Sequence, residues 1–308
     1  MMTCLPFLAP YHEAPSVSVA RCTTCCRQSA VFAIYRHPKL VVITLAHPIN
    51  HFSHRECLGL QAHSAWAIKA AQSIHFHCLG GGQFVAAEKL ILETVISEMF
   101  EENAYIAHLH GRSDCVVIDP GFEPQPILQH LAQRELQLAA ILNTHGHADH
   151  IAGNAALKEA WPDAPLVIGE GDAAKLTDPM LNLSGTYGMG FVSPEADILL
   201  SGGDRYQIAG FDFEIRDAPG HSCGHILFLW DAGDPTIVFG GDVLFSRSVG
   251  RTDFPDGSFE QLVHSIKTQL FVLADDTIVL PGHGPGTTVG DEKRHNPFVG
   301  EAANMTEG

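Results

Sequence analysis

Thr144-His145-Gly146-His147-Ala148-Asp149-His150 packs three imidazoles and a carboxylate into positions 145–150, directly after the short apolar run 138–143. Imidazole and carboxylate donors suit zinc, manganese or iron, and the lack of thiolates in the stretch argues against a closed structural zinc site. Gly146 lets the backbone turn tightly, so His145 and His147 can converge on one ion while Asp149 and His150 face a second. Alone, the stretch also fits a histidine-rich loop of solvated side chains, so the rest of the chain decides.

Pro219-Gly220-His221, Gly240-Gly241-Asp242 and Pro281-Gly282-His283 each follow an apolar segment that reads as a strand. A single loop histidine is more often structural than functional. The same placement three times, with glycine before each candidate ligand, is what loops carrying chemistry on a rigid sheet require.

Around these points, Leu90–Ile96, 105–108 and 115–118 read as strands, closed by the turn Asp119-Pro120-Gly121. A helix is expected over 124–135, where Ile127, Leu128 and Leu131 share a face. Further strands are expected at 165–168, 211–216, 226–230, 236–239 and 277–280, with helices near 155–160 and 259–270. This α/β order predicts stacked sheets covered by helices.

The ordered set His145-x-His147-x-Asp149-His150, His221, Asp242 and His283 resembles the metallo-β-lactamase superfamily over roughly residues 90–298. The resemblance implies an αββα sandwich of two mixed β-sheets flanked by helices. It implies one divalent ion on His145, His147 and His221, a second on Asp149, His150 and His283, and Asp242 between them. Asp149 and Asp242 would serve catalysis as well as metal binding, with zinc as the expected metal and iron or manganese accepted by the same donors.

Within the superfamily, Asp149 and Asp242 resemble the pattern of the hydroxyacylglutathione hydrolases, or glyoxalase II, in their short bacterial form. The implied reaction is hydrolysis of a thioester, S-2-hydroxyacylglutathione such as S-lactoylglutathione, to a 2-hydroxy acid and glutathione. Gly250-Arg251-Thr252-Asp253-Phe254-Pro255 and Glu292-Lys293-Arg294-His295-Asn296-Pro297-Phe298 resemble the same subgroup. Arg251, Lys293 and Arg294 are therefore candidate substrate-binding cations, although each equally fits an ion pair such as Arg251 with Asp253. The helical C-terminal domain of the longer enzymes has no counterpart after His283, which leaves the pocket to loops such as 178–192, with Gly185, Gly188 and Gly190. Two other readings stand beside this one. A mononuclear iron persulfide dioxygenase of the same fold would use His145, His221 and Asp242. A metal-binding module without turnover would use the cluster for no reaction.

Composition narrows the partners. The 308 residues are 45% hydrophobic and carry a net charge of −17. Residues 1–88 hold six Lys/Arg against three Asp/Glu, and residues 89–308 hold twelve against thirty-two. A surface so acidic repels phosphate backbones, so no nucleic-acid partner is expected. Six of the eight cysteines fall in 1–88, where Cys22, Cys25 and Cys26 lie with His51, His54, His75, His77 and Cys78, but no second ligand pair has zinc-module spacing. Residues 1–88 read as an N-terminal extension of uncertain order and 89–308 as the catalytic domain. No long apolar run or export-type leader stands out, so a cytoplasmic protein without a membrane partner is expected. The substrate is expected to be a small molecule.

Overall fold

The computed structural model describes residues 16–21, 31–37, 40–46, 90–231, 235–301 and 303, with side chains from residue 90 onward. The first sheet runs in chain order through β1 (Ser16–Arg21), β2 (Val31–His37), β3 (Leu40–Ala46), β4 (Leu90–Ile96), β5 (Asn103–Leu109), β6 (Asp114–Ile118), β7 (Gln137–Leu142), β8 (Leu166–Gly169) and β9 (Ile198–Leu200). It is antiparallel from β1 to β6 and parallel from β6 to β9. The second sheet starts as an antiparallel meander of β10 (Arg205–Ile208), β11 (Phe211–Asp217), β12 (Ile226–Trp230) and β13 (Ile237–Gly241). After a ribbon of β14 (Leu244–Phe245) and β15 (Ser248–Val249), the chain returns as β16 (Ile278–Pro281), parallel to β13, with β17 (Thr287–Thr288) antiparallel at the edge.

Side-chain alternation builds the layers. Along β11, Phe211, Phe213 and Ile215 are buried, whereas Asp212, Glu214 and Arg216 alternate with them. Along β6, Val116 and Ile118 enter the core between the sheets, while Cys115 and Val117 enter a second core under helices. That second core takes Ile127 and Leu131 of α1 (Pro124–Gln133), Ile151 of α2 (Ala148–Ile151) and Leu157 of α3 (Asn154–Ala160). On the far face of the second sheet, Leu227, Leu229 and Val238 pack with Leu262 of α4 (Phe259–Ser265) and Val289 of α5 (Val289–His295). Three apolar layers thus join helix, sheet, sheet and helix, the expected αββα sandwich. Phe211, Phe213, Phe228 and Phe239 are fully buried, each contributing about 1.5–3 kcal/mol.

Several local features differ from the sequence reading. The helix expected over 259–270 is α-helical only to Ser265 and continues as a wider turn, Ile266–Leu270, which keeps Ile266 and Leu270 in the same apolar layer. A backbone at φ 54° at Glu135 closes the helix expected to reach that residue. The tail motif 292–298 carries α5, whose first turn is capped by Thr288 Oγ1 accepting from Asp291 N at 3.2 Å. The strands β1 to β3 fall within residues 1–88, read from sequence as an extension of uncertain order, and β3 pairs with β4. The cysteine and histidine positions 22, 25, 26, 51, 54, 75, 77 and 78 lie outside the described residues. Among the described residues, no helix is long and apolar enough to cross a membrane.

One end of the sandwich is stitched across the two sheets. Ile226 N donates to Thr144 O (2.9 Å), Asn103 N to Gly282 O (2.7 Å), and Gly282 N to Gly241 O (2.8 Å). The Tyr105 hydroxyl donates to Pro281 O at 2.7 Å. The loops leaving β7, β11, β13 and β16 meet there.

Candidate metal centre

All seven candidate ligands converge at this end. Nε2 of His221 lies 2.8 Å from Nδ1 of His147 and 3.2 Å from Nε2 of His145. Nε2 of His283 lies 3.3 Å from Asp149 Oδ2, and Nε2 of His150 lies 3.8 Å from the same oxygen. Asp242 joins the two groups: its Oδ2 is 3.5 Å from His221 Nε2 and 3.6 Å from His283 Nε2, and its Oδ1 is 3.5 Å from His150 Nε2. His145–His147–His221, His145–His150–Asp242 and Asp149–His150–His283 are each compact enough to hold a cation.

Sheet-end backbone produces this convergence. Gly241 sits at φ 46°, a conformation that favours glycine, and turns Asp242 inward from β13. At Gly282, an added Cβ would come within 2.2 Å of Asp242 Oδ1 and 2.6 Å of His150 Cε1, inside the space between ligands. The glycines before the ligands therefore act in two ways, by conformation at Gly241 and by absent volume at Gly282.

The outward nitrogen of four rings meets an oxygen. Nδ1 of His150 faces Asp119 Oδ2 (3.1 Å), Nδ1 of His221 faces Arg251 O (2.8 Å), Nδ1 of His283 faces Phe100 O (3.1 Å), and Nδ1 of His145 faces Thr144 Oγ1 (3.1 Å). Each contact holds its ring with Nε2 turned toward the cluster, the outer-shell arrangement that orients metal-binding histidines. Asp119 also accepts from Thr144 N and Oγ1, at 2.8 and 2.7 Å, fixing the start of the histidine loop.

The donor set fits divalent cations. Nε2 of His150 and Oδ1 of Asp242 are buried without a hydrogen-bond partner, a costly state that a cation relieves. Burial, reinforced by neighbouring imidazoles, holds His145 and His147 well below the usual histidine range, so both are neutral, the form in which imidazole can bind a metal. His150 behaves oppositely: burial pulls it down, but Asp149, Asp242 and Asp119 outweigh this and raise it well above the usual range. Burial also opposes ionisation of Asp149, yet His150 and His283 hold it well below the usual carboxylate range.

Comparison with known proteins agrees with this geometry. A family model described as Metallo-beta-lactamase superfamily matches residues 100–283. The chain belongs to the metallo-β-lactamase superfamily. Among similar superfamily members, hydroxyacylglutathione hydrolase GloC of Haemophilus influenzae is 35% identical over 215 residues, covering 68% of this chain and 97% of GloC. The crystal structure of BLEG-1 B3 metallo-beta-lactamase superposes with a TM-score of 0.64 at 34% identity, covering 68% of this chain and 99% of BLEG-1. That of TTHA1623 in a di-iron-bound form gives 0.59 at 38% identity, covering 67% and 98%.

In this superfamily chain the candidate substrate cations separate. Arg251 lies at the rim, bonded to Asp253 (2.9 and 2.8 Å), with its guanidinium 4.6 Å from the centroid of Phe254. Phe254 in turn packs 5.0 Å from His147 and 5.6 Å from His221. Lys293 and Arg294 are instead engaged with Asp275, at 2.9 and 3.2 Å. Cys223 is exposed, and burial of its sulfur together with nearby carboxylates keeps its thiol above the usual range, which suits a loop residue rather than a nucleophile.

Sequence reasoning missed four supports. Asp119 was legible only as a turn. His225 accepts from Asp242 N at 3.1 Å and stacks on His145. Asp172, fully buried, accepts from Gly146 N and Gly224 N, both at 2.8 Å, tying the histidine loop to the His221 loop. Buried Lys175 fills the space among Asp172, Ser222 and Asp256, so this carboxylate group already has its cation. A buried acid or lysine between apolar residues after a strand, as at Asp119 or Lys175, was the available signal.

Proposed function

We propose that the chain is a dinuclear metal-dependent thioester hydrolase that cleaves S-2-hydroxyacylglutathione, with S-lactoylglutathione as its simplest substrate. The observation carrying this reading is Asp242, whose one carboxylate reaches both the His145–His147–His221 group and the Asp149–His150–His283 group. Zinc is the metal proposed, and iron or manganese suits the same donors. Such ions, when bound, polarise the thioester carbonyl and lower the pKa of water toward ~7.

The chain's own groups do the rest. Asp149 and Asp242 face the reacting centre, and Asp149 stays ionised because His150 and His283 face it. The outward contacts of His145, His150, His221 and His283 hold each ring in place, so no ring has to reorient during turnover. Arg251 is placed at the rim to meet a carboxylate of the thiol half. Water adds its oxygen to the acyl carbon, the carbon–sulfur bond breaks, and a thiol and a carboxylic acid leave. The departing thiolate needs no dedicated acid, since a free thiol has a pKa of about 8.5. Lys293 and Arg294 are proposed as further substrate contacts that would exchange Asp275 for the substrate.

The dioxygenase alternative would use His145, His221 and Asp242 alone and leave the Asp149–His150–His283 group without a task. The compactness of that group favours the hydrolase. The test is anaerobic release of thiol from S-lactoylglutathione by the purified chain. Oxygen-independent turnover supports the proposal, whereas oxygen uptake on glutathione persulfide without thioester hydrolysis overturns it. The similarity to BLEG-1 makes a β-lactam the control substrate, expected to be turned over far more slowly.

A further inference from the structure

Seven of the eleven exposed large hydrophobic side chains among the described residues come from two segments, 96–99 and 180–192. Both segments are tied to the metal centre. Phe100 O faces His283 Nδ1 at 3.1 Å, and Asn182 O accepts from Ala148 N at 2.9 Å, within the histidine motif. Asn182 and Ser184 are fully buried and bond to Phe191 O at 3.2 and 3.0 Å, so the second segment is braced. Between the segments runs a row of rings: Phe100 stacks on Phe122 (5.3 Å), Phe122 meets Phe191 edge-on (5.5 Å), and Phe100 meets Tyr187 (6.0 Å). Tyr187 also contacts Arg251.

Arg251 therefore lies beside His147 and His221 through Phe254, the Phe100 end of the apolar row lies beside His283, and Tyr187 joins the two. Exposed apolar surface concentrated in this way marks a binding surface, and the methionines Met99 and Met180, 61% and 63% exposed, adapt to varied shapes. A lactoyl group offers such a wall one methyl. Each further methylene covered by the wall strengthens binding about three- to fourfold.

We propose that the acyl half of the thioester lies on the wall formed by the exposed side chains of Met99 and Tyr187 together with the half-buried rings of Phe100, Phe122 and Phe191. The preferred substrates are then 2-hydroxyacyl thioesters bearing an aryl or branched alkyl group on the hydroxyl-bearing carbon. This rests on the thioester hydrolase reading and narrows it to bulky acyl groups.

The test compares kcat/KM of the full chain, with its metals, on S-mandeloylglutathione and S-lactoylglutathione. The mandeloyl thioester is expected to be favoured by about tenfold or more. In Met99→Ser/Tyr187→Ala the ratio is expected to fall toward one, with metal content and thermal midpoint measured alongside to confirm the fold. Equal values, or a preference for lactoyl, in the unaltered chain overturn the wall while leaving the thioester reading intact. Hydrolysis of neither thioester by the metal-containing protein overturns both.

Discussion

The backbone N–H of Asp242 donates to Nε2 of His225 across 3.1 Å, and the His225 ring stacks on His145 with centroids 4.8 Å apart and planes inclined by 18°. Burial holds His225 well below the usual histidine range, so its Nε2 keeps the lone pair that this contact needs. His225 thus fixes the Asp242 backbone from behind while supporting the candidate ligand His145. His225→Leu is expected to weaken zinc binding about 10- to 100-fold by calorimetric titration. His225→Gln, whose amide oxygen can accept from Asp242 N, should recover part of it; equal affinities in all three proteins would remove His225 from the centre.

Lys175 is buried beside Asp172 and Asp256, at 3.1 and 2.6 Å. Burial raises the carboxyl of Asp256, but Lys175 and the amide of Cys223 outweigh this and hold it well below the usual range. A depressed carboxyl contributes stability that is present above its unfolded value, about 3.9, and lost as pH falls toward its folded value. Lys175→Met leaves these acids without their cation and should cost about 3–5 kcal/mol in urea unfolding at pH 7. The deficit should shrink below about pH 4, as the stranded carboxylates take up protons. A deficit independent of pH would contradict the pairing.

Arg251→Ala should raise KM for a glutathione thioester by about tenfold with kcat little changed, the pattern of lost uniform binding. A fall in kcat alone would place Arg251 in the chemistry instead.

We propose that residues 89–308 form the catalytic domain and that the preceding extension adds nothing to the centre. A chain beginning at Ala87 is expected to keep its metal content and turnover. Because β3 pairs with β4, removing the extension leaves β4 as a sheet edge, and association at high concentration is the expected side effect. Loss of metal or activity in the truncated chain would refute the separation.

The candidate ligands were legible because their chemistry and position coincide. Seven imidazole and carboxylate positions, from His145 to His283, follow strand-like runs, and the density at 145–150 has few structural explanations. The strands were legible where one face is buried, as in Phe211–Asp217, since alternation leaves a period of two. Two-residue strands such as Leu244–Phe245 have no period to read. Asp119, His225 and Lys175 act through another residue, so no spacing connects them to the cluster until the sheets bring them together. Lys293 and Arg294 illustrate the converse: two adjacent cations suggest an anion site, yet Asp275 engages both.

Asp242 is the residue on which the two-metal account turns. Asp242→Ala should lower thioester turnover on the order of a thousandfold, the scale of removing a group that stabilises charge at the reacting centre.

The most direct test is metal content per chain, measured by inductively coupled plasma mass spectrometry on protein purified without added metal, beside Asp242→Ala treated identically. The account predicts about two ions per chain in the unaltered protein and fewer than about one in the variant. A single ion per chain in the unaltered protein, with full thioester turnover, would contradict it.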